Sequence, residues 1–134
     1  MKATAVIERG LDGTYGIFVE SNNLPFGVLG DGKTVAEAID DFYASLEDMR
    51  EYYEEIGKEF PKDLEFEFKY DTASFLQQYA YAFTLAGLER ITGINQRQLS
   101  HYINGIRKPS EKTIKKIEER LHTFGSEIAA VRFA

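Results

Sequence analysis

Apolar and polar residues alternate along the first part of the chain. Two alternating runs, residues 3–8 and 15–20, flank a short segment that contains Asp12 and Gly13. An Asp-Gly pair between two alternating runs predicts a β-hairpin, with one apolar face on each strand. Two further runs, residues 26–29 and 64–70, predict a third and a fourth strand.

A long amphipathic helix is predicted between the third and fourth strands, over residues 34–56. Thr34 and Glu37 form a capping-box pattern at its start. Its apolar residues recur at intervals of three and four: Val35, Ile39, Phe42, Leu46, Met49, Tyr53 and Ile56. The order β-β-β-α-β predicts a small antiparallel sheet covered on one side by this helix.

Helical spacing replaces alternation after residue 71. We predict three helices over residues 75–83, 84–92 and 96–103, and a fourth that begins after Ser110 and ends at Gly125. The tail, residues 126–134, fits either a strand or one more helical turn. The predicted fold is therefore α+β, with a sheet domain in residues 1–71 and an all-α domain in residues 72–134.

Residues 93–109 have the pattern of a helix-turn-helix. Gly93 supplies the backbone freedom of a tight turn, and Ile94 is the apolar residue of that turn. Asn95 is a good N-cap for a helix that extends to about Ile103, whose apolar face includes Leu99. In a helix-turn-helix, this second helix enters the major groove of double-stranded DNA.

The side chains on the other faces of that helix, and in the loop after it, suit DNA. Gln and Arg read adenine and guanine edges with two hydrogen bonds, and Arg and Lys in a loop contact phosphates. The candidate DNA-contacting residues are Gln96, Arg97, Gln98, Ser100, His101, Asn104, Arg107 and Lys108. A purely structural helical bundle with a glycine turn is the alternative.

The charge of the chain is divided between its halves. The whole chain has a net charge of −6, but residues 1–71 carry −10 and residues 72–134 carry +4. This asymmetry favours two surfaces with different partners, one facing DNA and one facing a basic protein. The alternative is an acidic face that only contacts solvent. The candidate partner-binding residues are Asp40, Asp41, Glu47, Asp48 and Glu51.

Composition narrows the class of protein. Cysteine is absent, which excludes disulfides and cysteine-ligated zinc. No apolar run has the length of a membrane span and no signal-peptide pattern opens the chain, so we expect a soluble cytoplasmic protein without a membrane partner.

A nucleotide-binding pattern occurs in residues 27–34, GVLGDGKT, which satisfy the Walker A expression G-x-x-x-x-G-K-[ST]. The preceding residues, NNLPF, do not resemble the buried parallel strand that such a loop follows. About 70 residues are also too few for the parallel sheet on which these sites sit. We therefore expect the glycines to make a tight turn into the helix, with Lys33 exposed and Thr34 as the helix cap.

Other catalytic chemistry is not indicated. His101 and His122 are isolated from one another and from the acidic half. Glu8, Glu20 and Glu67 are candidates for a divalent-metal site on the sheet, but alternation exposes such residues routinely. We expect no enzyme activity, no cofactor and no metal.

The C-terminal half resembles the phage-repressor and Xre type of helix-turn-helix domain. The resemblance implies that Gln96 contacts a base, that Arg97, Gln98 and His101 line the groove, and that Asn104 and the loop with Arg107 and Lys108 approach the backbone. Glu89 departs from the family pattern, which has a small buried residue at that place.

The first half resembles the N-terminal domain of HicB-type antitoxins. The residues that match are the Val6-Ile7-Glu8 strand, the Asp12-Gly13-x-Tyr15 hairpin and a glycine turn into Thr34-x-x-Glu37-Ala38. The turn, Gly30-Asp31-Gly32-Lys33-Thr34, is two residues longer than the family's Gly-Asp-Thr. The resemblance implies a reduced ribonuclease H-like sheet without the metal-binding carboxylates of the nuclease.

Together the two resemblances imply the antitoxin of a type II toxin–antitoxin pair. Such a protein neutralises a small basic toxin that cleaves messenger RNA, and represses its own operon. A palindromic operator requires a homodimer or a higher even-numbered oligomer. Candidate dimer contacts are Ile128, Val131 and Phe133. The alternative function is a stand-alone transcriptional repressor whose N-terminal domain senses a small ligand.

Overall fold

The chain forms a four-stranded sheet with one helix packed on it, followed by four shorter or more exposed helices. The computed structural model describes residues 1–134, which divide by their contacts into an N-terminal unit, Met1–Ser74, and a C-terminal unit, Phe75–Ala134. The elements are β1 Lys2–Arg9, β2 Tyr15–Val19, β3 Leu29–Gly32, α1 Val35–Glu55, β4 Glu65–Tyr70, α2 Thr72–Gln78, α3 Leu85–Thr92, α4 Gln96–Ile103 and α5 Glu111–Ala129.

The sheet is mixed, with the strand order β3-β2-β1-β4. β2 pairs antiparallel with β1 and with β3, whereas β4 pairs parallel with β1. The prediction of a wholly antiparallel sheet was therefore wrong for β4, although the element order was as predicted. A parallel pair needs a long crossover connection, and α1, with 21 residues and a length of about 31 Å, supplies it.

β3 lies three residues later than predicted, at Leu29–Gly32 instead of residues 26–29. Its glycines explain the shift, because α1 lies directly on them. A Cβ atom at Gly30 would clash with the carbonyl oxygen of Ala38 and would lie 2.7 Å from Cβ of Phe42. Glycines that indicate a turn in the sequence are here the strand residues that let a helix approach a sheet closely.

The core of the N-terminal unit follows the predicted alternation. The buried residues of the first two strands are Ala3, Ala5, Ile7, Tyr15 and Ile17, and those of α1 are Val35, Ala38, Phe42 and Leu46. Phe42 contacts Phe66 and Phe68 of β4 in edge-to-face geometry. The predicted apolar stripe of α1 is buried only in its first half, and Ile56 at its end is 45% exposed.

The predicted hairpin between β1 and β2 is confirmed. Gly13 has a φ of +81°, in the left-handed region that favours glycine. The hydroxyl and the backbone N–H of Thr14 both donate to Oδ1 of Asp12, at 2.7 and 3.0 Å. These two hydrogen bonds stabilise the carboxylate and lower the pKa of Asp12.

The C-terminal unit is built around Leu76, Leu88, Leu99 and Tyr102. Its first predicted helix, residues 75–83, was wrong at both ends, since α2 spans Thr72–Gln78. The helix begins early because the carboxylate of Asp71 accepts a hydrogen bond from the backbone N–H of Ser74, 3.1 Å away.

The last helix, α5, continues past Gly125 to Ala129, so the predicted end at Gly125 was wrong. One glycine inside a helix costs only about 1 kcal/mol, so it does not by itself end the helix. The backbone N–H of Ala130 still donates to the carbonyl of Ser126, 3.2 Å away. The tail therefore extends the helix by one turn, and the strand alternative was wrong. None of the helices combines the length and apolar character needed to cross a membrane.

Candidate nucleic-acid interface

The turn between α3 and α4 is closed by a glycine and a buried threonine. Gly93 has a φ of +74° and caps α3, its N–H donating to the carbonyl of Glu89. The hydroxyl of Thr92, which is fully buried, donates to the carbonyl of Leu88 at 2.7 Å and accepts from the N–H of Ile94 at 3.1 Å. These bonds fix the angle at which α4 leaves α3.

α4 is anchored along one side and free along the other. Oδ1 of Asn95 accepts the N–H of Arg97 at 2.8 Å, which is the predicted N-cap. Leu99 and Tyr102 are buried in the core. Because these anchors lie three residues apart on one face, the opposite face of α4 is left for contacts outside the unit.

The predicted DNA-contacting residues lie on that free face and in the loop after it. The exposed ones are Gln96, Arg97, Asn104, Arg107 and Lys108, and the half-buried ones are Gln98, Ser100 and His101. Nη1 of Arg107 donates to Oε1 of Gln98 at 3.3 Å, and the N–H of Ile106 donates to the carbonyl of His101 at 2.9 Å. The loop is thus held against the helix, and Arg97, Gln98, His101 and Arg107 line one open depression.

The positive charges of this surface are not neutralised within the chain. Both ion pairs in the structure, Arg50 with Glu47 and Lys62 with Glu59, belong to the N-terminal unit. Arg97, Arg107 and Lys108 have no carboxylate partner. Cations without internal partners are available to neutralise phosphates, which is the main source of affinity for nucleic acid.

One residue of this surface was not among the predicted contacts. The carboxylate of Glu89, on α3, accepts from the backbone N–H of Gln96 at 3.2 Å and from its side-chain amide at 3.3 Å. The sequence signalled Glu89 only as a departure from the Xre pattern. Its contact spans seven residues across the turn, and no local pattern reports such a contact.

The predicted partner-binding carboxylates all lie exposed on α1, but two of them have partners within the chain. Oδ2 of Asp41 accepts the N–H of Asp31 in β3 at 2.8 Å, and Glu47 pairs with Arg50 at 3.3 Å. The other three, Asp40, Asp48 and Glu51, have no hydrogen-bond or ion-pair partner. These three are available to an external cation.

The candidate dimer contacts lie at the end of the chain. Ile128 is 57% exposed, Val131 51% and Phe133 94%. These three apolar side chains are therefore exposed within six residues of the chain, and the dimer contact stays a prediction.

The Walker-like segment does not form a phosphate loop. It belongs to β3, an antiparallel edge strand, and its two later glycines pack on α1. The N–H of Lys33 donates to Oε2 of Glu37 at 2.9 Å, so a carboxylate occupies the position that a phosphate would take. No group of three or more His, Cys, Asp or Glu side chains is placed to hold a metal ion.

Comparison with known families supports the assignment of the C-terminal region. Residues 82–123 match the family model HTH_3, Helix-turn-helix. The C-terminal unit therefore carries a helix-turn-helix. This Xre-type helix-turn-helix covers α3, α4 and most of α5, and it supports a role as a DNA-binding transcription regulator. Searches of curated proteins and of solved structures found no match.

Two single substitutions are expected to separate base reading from phosphate contact in the helix-turn-helix. Arg97→Ala is expected to lower discrimination between specific and random duplexes by about 1–3 kcal/mol, the contribution of one guanine contact. Lys108→Ala is expected to weaken binding to all sequences alike and to reduce the salt dependence of binding. Binding measured by fluorescence anisotropy at several salt concentrations tests both, and equal losses on the two duplexes for Arg97→Ala would refute its assignment.

Proposed function

We propose that this protein is the antitoxin of a type II toxin–antitoxin pair. Its helix-turn-helix represses its own operon, and its acidic N-terminal unit binds and neutralises a small basic toxin that cleaves messenger RNA. We further propose that the protein acts in the cytoplasm, has no catalytic activity of its own and needs no cofactor.

The observation that carries this proposal is the separation of charge between two units that fold around their own cores. The N-terminal unit has a net charge of −10 and the C-terminal unit +4. A strongly acidic unit beside a DNA-binding unit favours a separate, basic partner for the acidic one. Opposed potentials speed the encounter of two proteins and fix their orientation, and an RNA-cleaving protein must be basic where RNA binds.

The acidic surface of α1 has the chemistry of a protein interface as well as the charge. Tyr52 and Tyr43, both close to half exposed, flank its carboxylates on the two sides of the helix. Tyrosine is enriched at protein interfaces because it combines a large apolar area with a hydrogen-bonding group. A basic partner would therefore meet both carboxylates and aromatic anchors on one helix.

Charge reversal on α1 tests the toxin-binding half of the proposal. If a small basic protein is encoded beside this gene, the double variant Asp48→Lys/Glu51→Lys is expected to weaken binding to it by about tenfold or more, because like charges would then face each other. The matched control is Glu65→Lys/Glu67→Lys on β4, which changes the net charge equally and is expected to leave binding within about threefold.

The outcome of this experiment separates the two candidate functions. If the small basic protein co-purifies with the unmodified protein and with the β4 control but not with the α1 variant, the antitoxin function is supported. If no small basic protein is encoded beside the gene or binds this one, the stand-alone repressor with a ligand-sensing N-terminal unit replaces it, and the DNA-binding proposal is unaffected.

We also propose that the protein binds a palindromic operator as a homodimer through its C-terminal tail. Phe133→Asp is expected to convert the dimer to a monomer in sedimentation analysis, because it places a charge at the centre of an apolar contact. The same variant should bind an operator with two half-sites more weakly. Such binding needs two copies of α4, one from each subunit, placed one DNA turn apart. Leu11→Asp, at another fully exposed apolar residue, is the control. An unchanged molecular mass for Phe133→Asp would overturn this assignment.

A further inference from the structure

A carboxylate lies on the candidate DNA surface of the helix-turn-helix, where the partner is an anion. Oε1 of Glu89 accepts from the backbone N–H of Gln96 at 3.2 Å, and Oε2 accepts from its side-chain Nε2 at 3.3 Å. Glu89 is half-buried and forms no ion pair. Its two carboxylate oxygens are therefore both directed at the first residue of α4.

This contact determines which hydrogen-bonding groups Gln96 presents. A glutamine amide has two N–H donors and one carbonyl acceptor. With one N–H donated to Glu89, the amide retains one N–H and Oε1 for an external partner. One donor and one acceptor side by side form the pair that binds adenine in the major groove, at N7 and N6.

The carboxylate also fixes the orientation of that pair. The side chain of an exposed glutamine samples several rotamers, and rotation of its amide by 180° exchanges donor and acceptor. A carboxylate accepts hydrogen bonds and donates none, so only the orientation with Nε2 toward Glu89 is stable. The amide is thus held before DNA arrives, which lowers the conformational entropy lost on binding.

We propose that Glu89 is a specificity-determining residue that holds the amide of Gln96 in position to read adenine. This inference rests on the proposed DNA binding by the helix-turn-helix. Its cost is a negative charge close to the phosphates, which weakens binding to every sequence. Glu89 therefore favours discrimination between sequences at the expense of overall affinity.

Two substitutions of Glu89 test its charge and its control of the Gln96 amide. Glu89→Ala removes the charge and both hydrogen bonds, whereas Glu89→Gln removes the charge and presents a donor as well as an acceptor to Gln96. Both variants are expected to bind a random-sequence duplex severalfold more tightly, because repulsion of phosphate is lost. Both variants are also expected to lose discrimination at the base pair that Gln96 contacts, Glu89→Ala by about tenfold. Glu89→Gln loses it because an amide can donate to Oε1 of Gln96 and so permits both orientations.

The experiment starts with full-length protein and a pool of duplexes with a random segment of about 20 base pairs, enough for two half-sites one helical turn apart. The selected duplex, and duplexes with single base-pair changes, are then used in binding assays with Glu89→Gln, Glu89→Ala and Gln96→Ala. We expect Gln96→Ala to identify an adenine position. We expect Glu89→Ala to lose discrimination at the same position, with no further loss in the double variant Glu89→Ala/Gln96→Ala.

The inference is overturned if either Glu89→Ala or Glu89→Gln keeps the full discrimination of the unmodified protein. It is also overturned if Gln96→Ala affects no adenine position. Failure to select any sequence from the pool is a different result, because it refutes the proposed DNA binding itself. Circular dichroism of each variant reports whether the fold is retained.

Discussion

Replacement of Gly30 by alanine is expected to destabilise the N-terminal unit by about 1–3 kcal/mol, the usual cost of overpacking a core. The added Cβ atom would clash with the carbonyl oxygen of Ala38 and would lie 2.7 Å from both the backbone nitrogen and Cβ of Phe42. Two of these three atoms belong to the backbone of α1, which cannot move aside as a flexible side chain does. Urea denaturation of the full chain, followed by tyrosine fluorescence, measures the loss.

Gly27→Ala is the matched control for this prediction. Gly27 belongs to the same Walker-like segment, but a Cβ atom there has no neighbour within 4 Å. We therefore expect a change in stability of less than about 0.5 kcal/mol, the range of ordinary surface substitutions. We expect this difference in stability between the two variants only if the glycines of the segment serve close packing on α1 and not the binding of a ligand.

A nucleotide site in this segment would give a different pattern of results. Gly27 and Lys33 would then be needed for binding, and Gly30, an intervening residue, would not be. Nucleotide binding that Lys33→Ala abolishes would contradict our assignment of the segment as an edge strand packed on α1. With the N–H of Lys33 already donating to Glu37, we expect no such binding.

Leu99→Ala is expected to destabilise the C-terminal unit by about 2–5 kcal/mol. Leu99 is fully buried in the cluster formed with Leu76, Leu88 and Tyr102, and its truncation leaves a cavity under the middle of α4. Since the unit is small, a loss of this size approaches its whole stability. We expect DNA binding to disappear at 37 °C while the sheet of the N-terminal unit remains folded.

Ile106→Ala provides the comparison for Leu99→Ala. Ile106 lies just beyond α4, and its side chain is 69% exposed. The same loss of aliphatic carbon is expected to cost less than about 0.5 kcal/mol there. Backbone amide exchange distinguishes local from global unfolding, and loss of protection in β1 and β2 by Leu99→Ala would show that the two units unfold together.

The elements that were predicted well have signals that are local in the sequence. Alternation around Asp12 and Gly13 predicted the hairpin, and the caps Thr34, Asn95 and Ser110 each lie at the predicted start of a helix. In each case, residues within four positions of one another supply the hydrogen bonds concerned. Such features do not depend on the rest of the fold.

The errors concern features that depend on distant parts of the chain. The predicted position of β3 was wrong because Gly30 and Gly32 belong to a strand that α1 covers closely. That close approach depends on residues of α1, which follow β3 in the sequence. The direction of β4 depends on the length of the α1 crossover and not on any pattern within β4. Similarly, the contact of Glu89 with Gln96 requires the turn at Gly93 to be formed first.

The candidate site was predictable to a similar extent. The 3.6-residue period of α4 indicated which side chains leave the core, and both exposed residues of that helix, Gln96 and Arg97, had been proposed as contacts. The period carries no information on side-chain hydrogen bonds. For the same reason, the helical period of α1 did not show that Asp41, proposed for partner binding, accepts a hydrogen bond from β3.

That contact of Asp41 has a consequence for how the protein behaves at high concentration. β3 is an edge strand, and the N–H of Asp31 points away from β2, where another polypeptide would otherwise pair with it. The carboxylate of Asp41 occupies this donor, and the strand is only four residues long. The sheet thus offers little template for growth into fibrils at this side, which gives the chain resistance to aggregation.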